Sequence, residues 1–117
     1  MTTKIDPNII ELLQGHCSEI VYQRDEIIIY EGHVPRVGFI LLEGKLDIIM
    51  SKRHETVEVN SAVGVKELAS NEPFKYAVKI YPNTKVLPLD RSTLASLEEL
   101  EDDQLNNFIS EMTLSAK

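Results

Sequence analysis

Apolar residues change their spacing several times along the chain, and each change predicts a different secondary structure. Near the start, Asp6 and Pro7 are typical of a helix N-terminus, and Gly15 is typical of its end. A helix over about residues 6–15 is therefore expected. From about residue 18 to residue 89, short β-branched and aromatic runs separated by polar turns replace the helical spacing, which favours strands.

The predicted strands cover residues 20–22, 27–30, 37–42, 45–50, 56–59, 76–80 and 85–89. Alternation in one of them places Asp47 on the face opposite Leu46 and Ile48. Glu43 and Gly44 predict a tight hairpin, and Pro88 predicts an edge or a strand end. Many short strands with regular turns indicate an all-β barrel or sandwich, interrupted by one or two helical turns at residues 64–70.

Helical spacing returns after the strands, over about residues 91–114. Asp90 or Ser92 can cap a first helix, and Asp102 or Asp103 can start a second. The second helix carries a stripe of four apolar residues, Leu105, Phe108, Ile109 and Met112. This stripe either completes the protein's own core or forms an interaction face for a partner or a second copy.

The length of 117 residues predicts one domain over residues 1–117. The net charge is −7, of which −5 falls on residues 90–117 and −2 on residues 1–89. This balance argues against nucleic-acid binding, which needs clustered lysine and arginine. No apolar run is long enough to span a membrane, and Cys17 has no second cysteine to pair with. A cytoplasmic protein is expected.

The sequence offers no residue-level support for an enzyme. His16, His33 and His54 are far apart and lack the close spacing of a metal site in a β-barrel. Cys17 lies beside His16, but adjacent residues rarely orient for proton transfer, and no third group completes a catalytic arrangement. We therefore expect no catalytic residue and no metal.

A more specific signal lies in two glycine segments. Residues 30–32 and 39–46 place Gly32 and Gly44 around a strand of aromatic and aliphatic residues. In order and interval they resemble the paired glycine motif of the cyclic-nucleotide-binding domain family, and residues 90–94 resemble the family's entry into the helix after the barrel. The resemblance covers about residues 8–115. It implies a mainly β fold with flanking helices, built as a double-stranded β-helix or jelly-roll barrel.

Residues 64–77 fall where the family has its phosphate-binding cassette. There, helix amides and an arginine hold the cyclic phosphate, and a glutamate accepts a hydrogen bond from the ribose hydroxyl. Glu67 matches that glutamate. Lys66 stands where the family has glycine, Phe74 stands at the arginine position, and Ala77 replaces the usual serine or threonine. The resemblance therefore implies a degenerate cassette.

The resemblance also supplies the candidate ligand-binding residues, which are Val65, Lys66, Glu67, Leu68, Ala69, Lys75 and Ala77. Lys75 either provides a charge for a phosphate or is a solvated strand lysine. It reaches the pocket only if its neighbour Phe74 does not, because adjacent strand residues point to opposite faces. Lys66 is either an anion-binding or an ordinary surface lysine, and Glu67 is either a ribose contact or a solvated or capping carboxylate.

Two functions remain from this reasoning. The first is a non-catalytic regulatory or protein-interaction module whose ligand pocket is degenerate, with another protein or a second copy as partner and no cofactor. The second is a sensor that binds a cyclic nucleotide or another small anion through a non-standard cassette. An enzyme on a related barrel, such as a cupin, is the third and least supported class.

Overall fold

A computed structural model describes the backbone of residues 2–114 and the side chains of residues 2–112. The strands are β1 (Thr2–Lys4), β2 (Ile20–Tyr22), β3 (Glu26–Ile29), β4 (Val37–Glu43), β5 (Leu46–Ile49), β6 (His54–Thr56), β7 (Ser61–Val63), β8 (Ala77–Ile80) and β9 (Thr84–Asp90). The helices are α1 (Pro7–Gln14), α2 (Val65–Ser70), α3 (Arg91–Glu99) and α4 (Asp103–Leu114). No helix within residues 2–114 is long and apolar enough to cross a membrane.

The strands form two antiparallel sheets, one in the order β1-β7-β4-β9-β2 and the other in the order β3-β8-β5-β6. Between β2 and β5, each successive strand belongs to the other sheet, so the chain winds around both as in a jelly roll. The mainly β jelly-roll prediction is therefore confirmed.

The hairpin predicted at Glu43 and Gly44 is wrong, because β4 and β5 lie in different sheets. At this point the chain crosses from one sheet to the other, and Gly44 has a φ of +96° that favours glycine. A Cβ on Gly44 would lie 2.5 Å from Thr84 Oγ1, so the crossing also packs closely against β9. The chain does turn at Gly44, as the sequence predicted, but the strands on either side of the turn do not pair.

Two apolar cores explain the strand sequences. The five-stranded sheet has one face on the other sheet and one face on the helices. Phe39 and Leu41 of β4 enter the core between the sheets, whereas Ile40 enters the core beneath the helices. A strand buried on both faces is apolar at successive positions rather than alternating, which accounts for the unbroken apolar run in β4.

Strands β1 and β7 were not predicted from the sequence. Thr2–Lys4 is polar, and it is a strand because it pairs with Ser61–Val63, whose small residues form β7. Pro88 lies on β9 inside its sheet, between β4 and β2. However, β2 pairs only with residues 84–86, so β9 has a partner strand on one side alone at Pro88. The proline is tolerated there because no second ladder needs its missing N–H.

Aspartate side chains cap the N-termini of α1, α3 and α4. Asp6 accepts a hydrogen bond from Asn8 N at 2.8 Å, Asp90 from Thr93 N at 2.7 Å, and Asp102 from Leu105 N at 3.0 Å. These bonds satisfy N–H groups that have no partner inside the helix. The helices α1, α3 and α4 occupy the regions 6–15 and 91–114 in which helices were expected.

The apolar stripe of α4 belongs to the core beneath the helices. Leu105, Phe108, Ile109 and Met112 are each at most 4% exposed and pack in that core. Of the two interpretations offered above, the structure therefore supports the core and not the interaction face. A helix of this length covers the sheet by burying its whole apolar side.

Gly38 allows α2 to lie directly on β4. A Cβ at Gly38 would be 2.5 Å from Val65 Cγ2 and 2.8 Å from Val65 N. These distances are shorter than van der Waals contact, so only a residue without a side chain fits between the strand and the first turn of α2. Because Val65 and Leu68 are buried in the core beneath the helices, this contact sets the position of α2 on the sheet.

We expect Gly38→Ala to lower the free energy of unfolding by about 1–3 kcal/mol, because the added methyl group overlaps the Val65 backbone. Urea unfolding followed by circular dichroism measures this. Gly15→Ala is the control, since Gly15 has a φ of −73° and its added Cβ would lie 3.4 Å from the nearest atom, Leu12 O. The control is expected to change stability by less than about 1 kcal/mol. Equal losses in both variants would contradict the role of Gly38.

Candidate functional site

The cassette region consists of α2 and the loop that follows it. Gly64 precedes α2 with a φ of +81°, and a Cβ there would lie 2.6 Å from Ile29 Cδ1. Asn71 ends the helix with a φ of +58°, a left-handed conformation that asparagine adopts more easily than most residues. Glu72 N then donates to Glu67 O at 3.0 Å, which closes the helix end. Two left-handed residues therefore fix both ends of this short helix.

Phe74 fills the space between the two sheets. Its side chain is fully buried in the core that contains Ile48 and Val78. Its backbone is held as well, because Gly32 N donates to Phe74 O at 2.8 Å and Phe74 N donates to His33 O at 2.9 Å. The position where the resemblance expects an arginine is thus occupied by an aromatic ring inside the apolar core.

Two candidate ligand residues lie away from that interior. Lys75 is exposed, with Nζ 5.9 Å from the centre of the Tyr76 ring. Phe74 and Lys75 precede β8 and do not lie on a strand, so the expectation of a strand lysine is wrong and strand alternation does not apply to the pair. The structure nevertheless buries Phe74 and leaves Lys75 exposed. Ala77 pairs with Ile49, on the sheet face opposite the inward-pointing Val78. The structure therefore does not bring Lys75 and Ala77 together with α2 around one cavity.

The remaining candidates lie on α2 itself and divide by burial. Val65 and Leu68 are buried against the sheet and the other helices, which gives them a packing role. Lys66 and Ala69 are partly exposed. Glu67 is also partly exposed, but its Oε1 atom is buried and has no hydrogen-bond partner among the described residues. A buried carboxylate oxygen is costly to leave unpaired, and among the candidates Glu67 is the residue in which a buried polar side-chain atom lacks a partner.

Arg91 joins the end of α2 to the start of α3, and the sequence reasoning did not find it. Its Nη2 donates to Leu68 O and to Asn71 Oδ1, the latter at 3.4 Å. A cation at the C-terminal end of a helix is favourable, because carbonyls without intrahelical partners concentrate there. The sequence signal was only that Arg91 follows the helix-capping Asp90, which does not show which distant carbonyl the arginine reaches.

A second polar group, also missed, surrounds Asp47 on the outer face of the four-stranded sheet. The Asp47 side chain is 4% exposed. It accepts hydrogen bonds from Tyr81 Oη at 2.8 Å and from Thr56 Oγ1 at 3.1 Å. His54 Nδ1 lies 3.5 Å and Lys45 Nζ 3.9 Å from its Oδ2 atom. Alternation correctly placed Asp47 opposite Leu46, but it did not show that neighbouring side chains would cover it.

Two lysines flank the ring of Tyr81. Lys45 Nζ lies 4.7 Å and Lys79 Nζ 4.8 Å from the ring centre, distances typical of cation–π contacts. Lys79 also pairs with Asp25 at 3.6 Å. The hydrogen bond to Asp47 and the partial burial of the phenol raise the pKa of Tyr81. The group is well partnered, and its geometry indicates a structural link between β5, β6 and β8.

Comparison with known proteins agrees with this architecture. No family model matches the chain, and no curated protein matches it. A solved structure from work on a cyclic-GMP-dependent signalling pathway that regulates bacterial phytopathogenesis matches with a TM-score of 0.77 at 10% identity, covering 93% of this chain and 91% of that one. The chain has the fold of a cyclic-nucleotide-binding domain.

This chain covers only part of two further structures that have this fold. A structure of PKAR CBD2 with Sp-2Cl-cAMPS bound has a TM-score of 0.64 at 24% identity, covering 92% of this chain and 74% of that one. The catabolite activator protein of Thermus thermophilus has a TM-score of 0.60 at 17% identity, covering 83% of this chain and 49% of that one.

We expect Phe74→Ala to lower the free energy of unfolding by about 3–5 kcal/mol, because it leaves a cavity between the sheets. Chemical denaturation measures the change. Lys75→Ala is the adjacent control: its side chain is exposed, so the expected change is within about 0.5 kcal/mol. A small effect at Phe74 would mean that the ring does not support the two sheets.

Tyr81 is expected to titrate above its ordinary pKa of 10.0. Because the folded protein holds the phenolic proton more tightly than the unfolded chain, this contribution to stability is present below pH 10 and is lost as the pH rises through the raised value. Phenolate absorbance measures the titration, and Tyr81→Phe identifies its signal. Asp47→Asn is expected to return the pKa toward 10.0, and an unchanged titration in that variant would contradict the assigned cause.

Proposed function

We propose that this protein is a non-catalytic regulatory module that acts through protein contacts, on a cyclic-nucleotide-binding-domain fold whose ligand pocket is degenerate. The observation that carries the proposal is the complete burial of Phe74 between the sheets. An aromatic ring occupies the position at which the resemblance expects the arginine that pairs with the cyclic phosphate. The interior is stabilised by this ring, and no guanidinium is available there.

The expected loss of affinity is large. A hydrogen bond to a charged group contributes about 1.5–3 kcal/mol, which corresponds to roughly 10- to 150-fold in a dissociation constant. Lys75 does not compensate, because its side chain is exposed while Phe74 fills the interior. Ala77 supplies no hydroxyl and lies on the outer face of its sheet. These three positions together support a pocket that does not hold a cyclic phosphate in the family's usual way.

Two observations support a non-catalytic role. Burial, with a smaller contribution from Asp90, raises the pKa of the Cys17 thiol, which disfavours the nucleophilic thiolate. Regulatory domains are among the similar structures, and another similar structure is of an EAL enzyme, with a TM-score of 0.61 at 16% identity. We therefore assign this chain a partner protein rather than a substrate, and place its action in the cytoplasm, where a lone thiol stays reduced.

A sensor of cyclic nucleotides or other small anions is the second candidate function, and one observation favours it. The buried Oε1 atom of Glu67 has no hydrogen-bond partner among the described residues. The resemblance places the acceptor for a ribose hydroxyl at this residue. In the sensor, that hydroxyl would satisfy the carboxylate, and the amides at the start of α2 would face the anion.

Isothermal titration calorimetry with cyclic AMP, cyclic GMP and cyclic dinucleotides separates the two functions. The degenerate-pocket proposal predicts no heat of binding with ligand at up to about 1 mM. A dissociation constant at this limit corresponds to a binding free energy of about −4.1 kcal/mol. Micromolar binding that weakens at least about tenfold in Glu67→Gln would instead establish the sensor.

The variants in this experiment need a matched control. Lys75→Ala tests the exposed lysine within the predicted cassette, and Lys52→Ala removes an equal charge from the turn between β5 and β6. If a ligand binds and only Lys75→Ala weakens it, the lysine reaches the anion in solution and the argument from Phe74 fails. If both lysine variants weaken ligand binding equally, binding depends on the overall charge and not on a specific pocket. That result agrees with the degenerate-pocket proposal.

A further inference from the structure

The exposed side of α3 has cations at its beginning and carboxylates at its end. Arg36 and Arg91 line one cleft of about 530 Å³ beside the first turn of α3. At the other end, Glu98, Glu99 and Glu101 are all exposed. A helix of nine residues is about 14 Å long, so the two charged regions are separated by the length of α3.

The cationic end has binding capacity that the chain does not use. Arg36 is exposed, and no hydrogen bond or ion pair of its guanidinium is found within the described side chains. Arg91 uses Nη2 on α2, which leaves its other guanidinium N–H groups for a further acceptor. Asp90 adds a carboxylate to the cleft, but this group already accepts a hydrogen bond from Thr93 N.

The acidic end carries an exposed apolar side chain. Leu100 is 47% exposed and is flanked by glutamates on both sides. It also lines a second cleft of about 260 Å³, which shares Ser92 with the first. Between the two ends, the exposed residues Ser92, Ala95 and Ser96 are small. Two clefts that share Ser92 therefore lie along α3, and His16 also lines the second of them.

We propose that two copies of this protein associate through α3, with the two helices antiparallel about a two-fold axis. The acidic end of each copy, with Leu100, docks in the Arg36–Arg91 cleft of the other. Two-fold symmetry requires a self-complementary surface, and α3 provides one because its opposite charges are at opposite ends. A parallel arrangement would place like charges together, which is unfavourable. In the antiparallel arrangement, the partial positive charge at the N-terminus of each helix also lies near the partial negative charge at the C-terminus of the other, which is favourable.

This inference names a second copy as the partner in the interaction role proposed above. The Arg36 cleft includes Leu68 and Asn71 at α2 but neither Phe74 nor Glu67. Calorimetry measures ligand binding and sedimentation measures self-association without ligand, so each result is obtained independently of the other. The two proposals therefore fail separately.

Sedimentation equilibrium of the full chain tests the dimer. We expect a weak dimer, with a dissociation constant between about 1 μM and 1 mM, that dissociates further at about 1 M salt, where the Debye length is about 3 Å. Arg36→Glu is expected to weaken association at least about tenfold, since it places like charges at both symmetric contacts. A protein that stays monomeric up to about 1 mM overturns the proposal.

A charge exchange gives the sharper test. Glu98→Lys with Glu99→Lys is expected to prevent self-association as Arg36→Glu does. Mixing the two variants is expected to restore a heterodimer, because one contact is then reversed in sign and the other is native. The absence of a heterodimer, when both homodimers are lost, would overturn the antiparallel arrangement.

Arg24→Glu is the matched control, because Arg24 is an exposed arginine in the turn between β2 and β3 and the change in net charge is the same. It is expected to leave the dissociation constant within about twofold of the wild type. Circular dichroism and thermal unfolding confirm that each variant is folded. A dimer unaffected by Arg36→Glu, or weakened equally by Arg24→Glu, would show that α3 is not the interface.

Discussion

The structure depends on one strand that is buried on both faces. β4 contributes Phe39 and Leu41 to the core between the sheets and Ile40 to the core beneath the helices. Its partners β7 and β9 are buried in the same way. The two cores are therefore separate layers that share a single sheet, and a change in β4 is felt in both.

This shared sheet also determines where α2 lies. Gly38 on β4 leaves no side chain between the strand and Val65, so α2 rests on the sheet backbone. Beyond α2, the chain returns between the sheets at Phe74, where hydrogen bonds to Gly32 and His33 secure it. Residues 64–77, where the resemblance places the cassette, thus include an aromatic ring packed between the sheets. The stability of the protein and the expected loss of phosphate binding have the same cause.

Polar side chains at the edges of these layers link neighbouring elements by hydrogen bonds. Asp47 gathers donors from β6 and from Tyr81 on the outer face of the four-stranded sheet, and most of its hydrogen-bonding capacity is met. Arg91 connects the end of α2 to the start of α3 and at the same time lines the cleft beside Arg36. Helix α2 and the exposed face of α3 therefore meet at one guanidinium group.

The spacing of residues by itself determined most of the strands, the all-β class and the helix caps, because these follow from local periodicity and from short-range hydrogen bonds such as that of Asp90 to Thr93. The jelly-roll class followed from the resemblance to the family. The paired glycines were also predictable, since Gly32 and Gly44 have the positive φ values that favour glycine.

Tertiary structure alone decided the pairing of Thr2–Lys4 with Ser61–Val63, the burial of Asp47, the inward direction of Phe74 and the carbonyl that Arg91 reaches. Each of these depends on residues far apart in the chain that only the packing of two sheets and four helices brings together. Local patterns carry no information about such neighbours, so a turn signal at Glu43 and Gly44 predicted a hairpin where the chain in fact crosses between sheets.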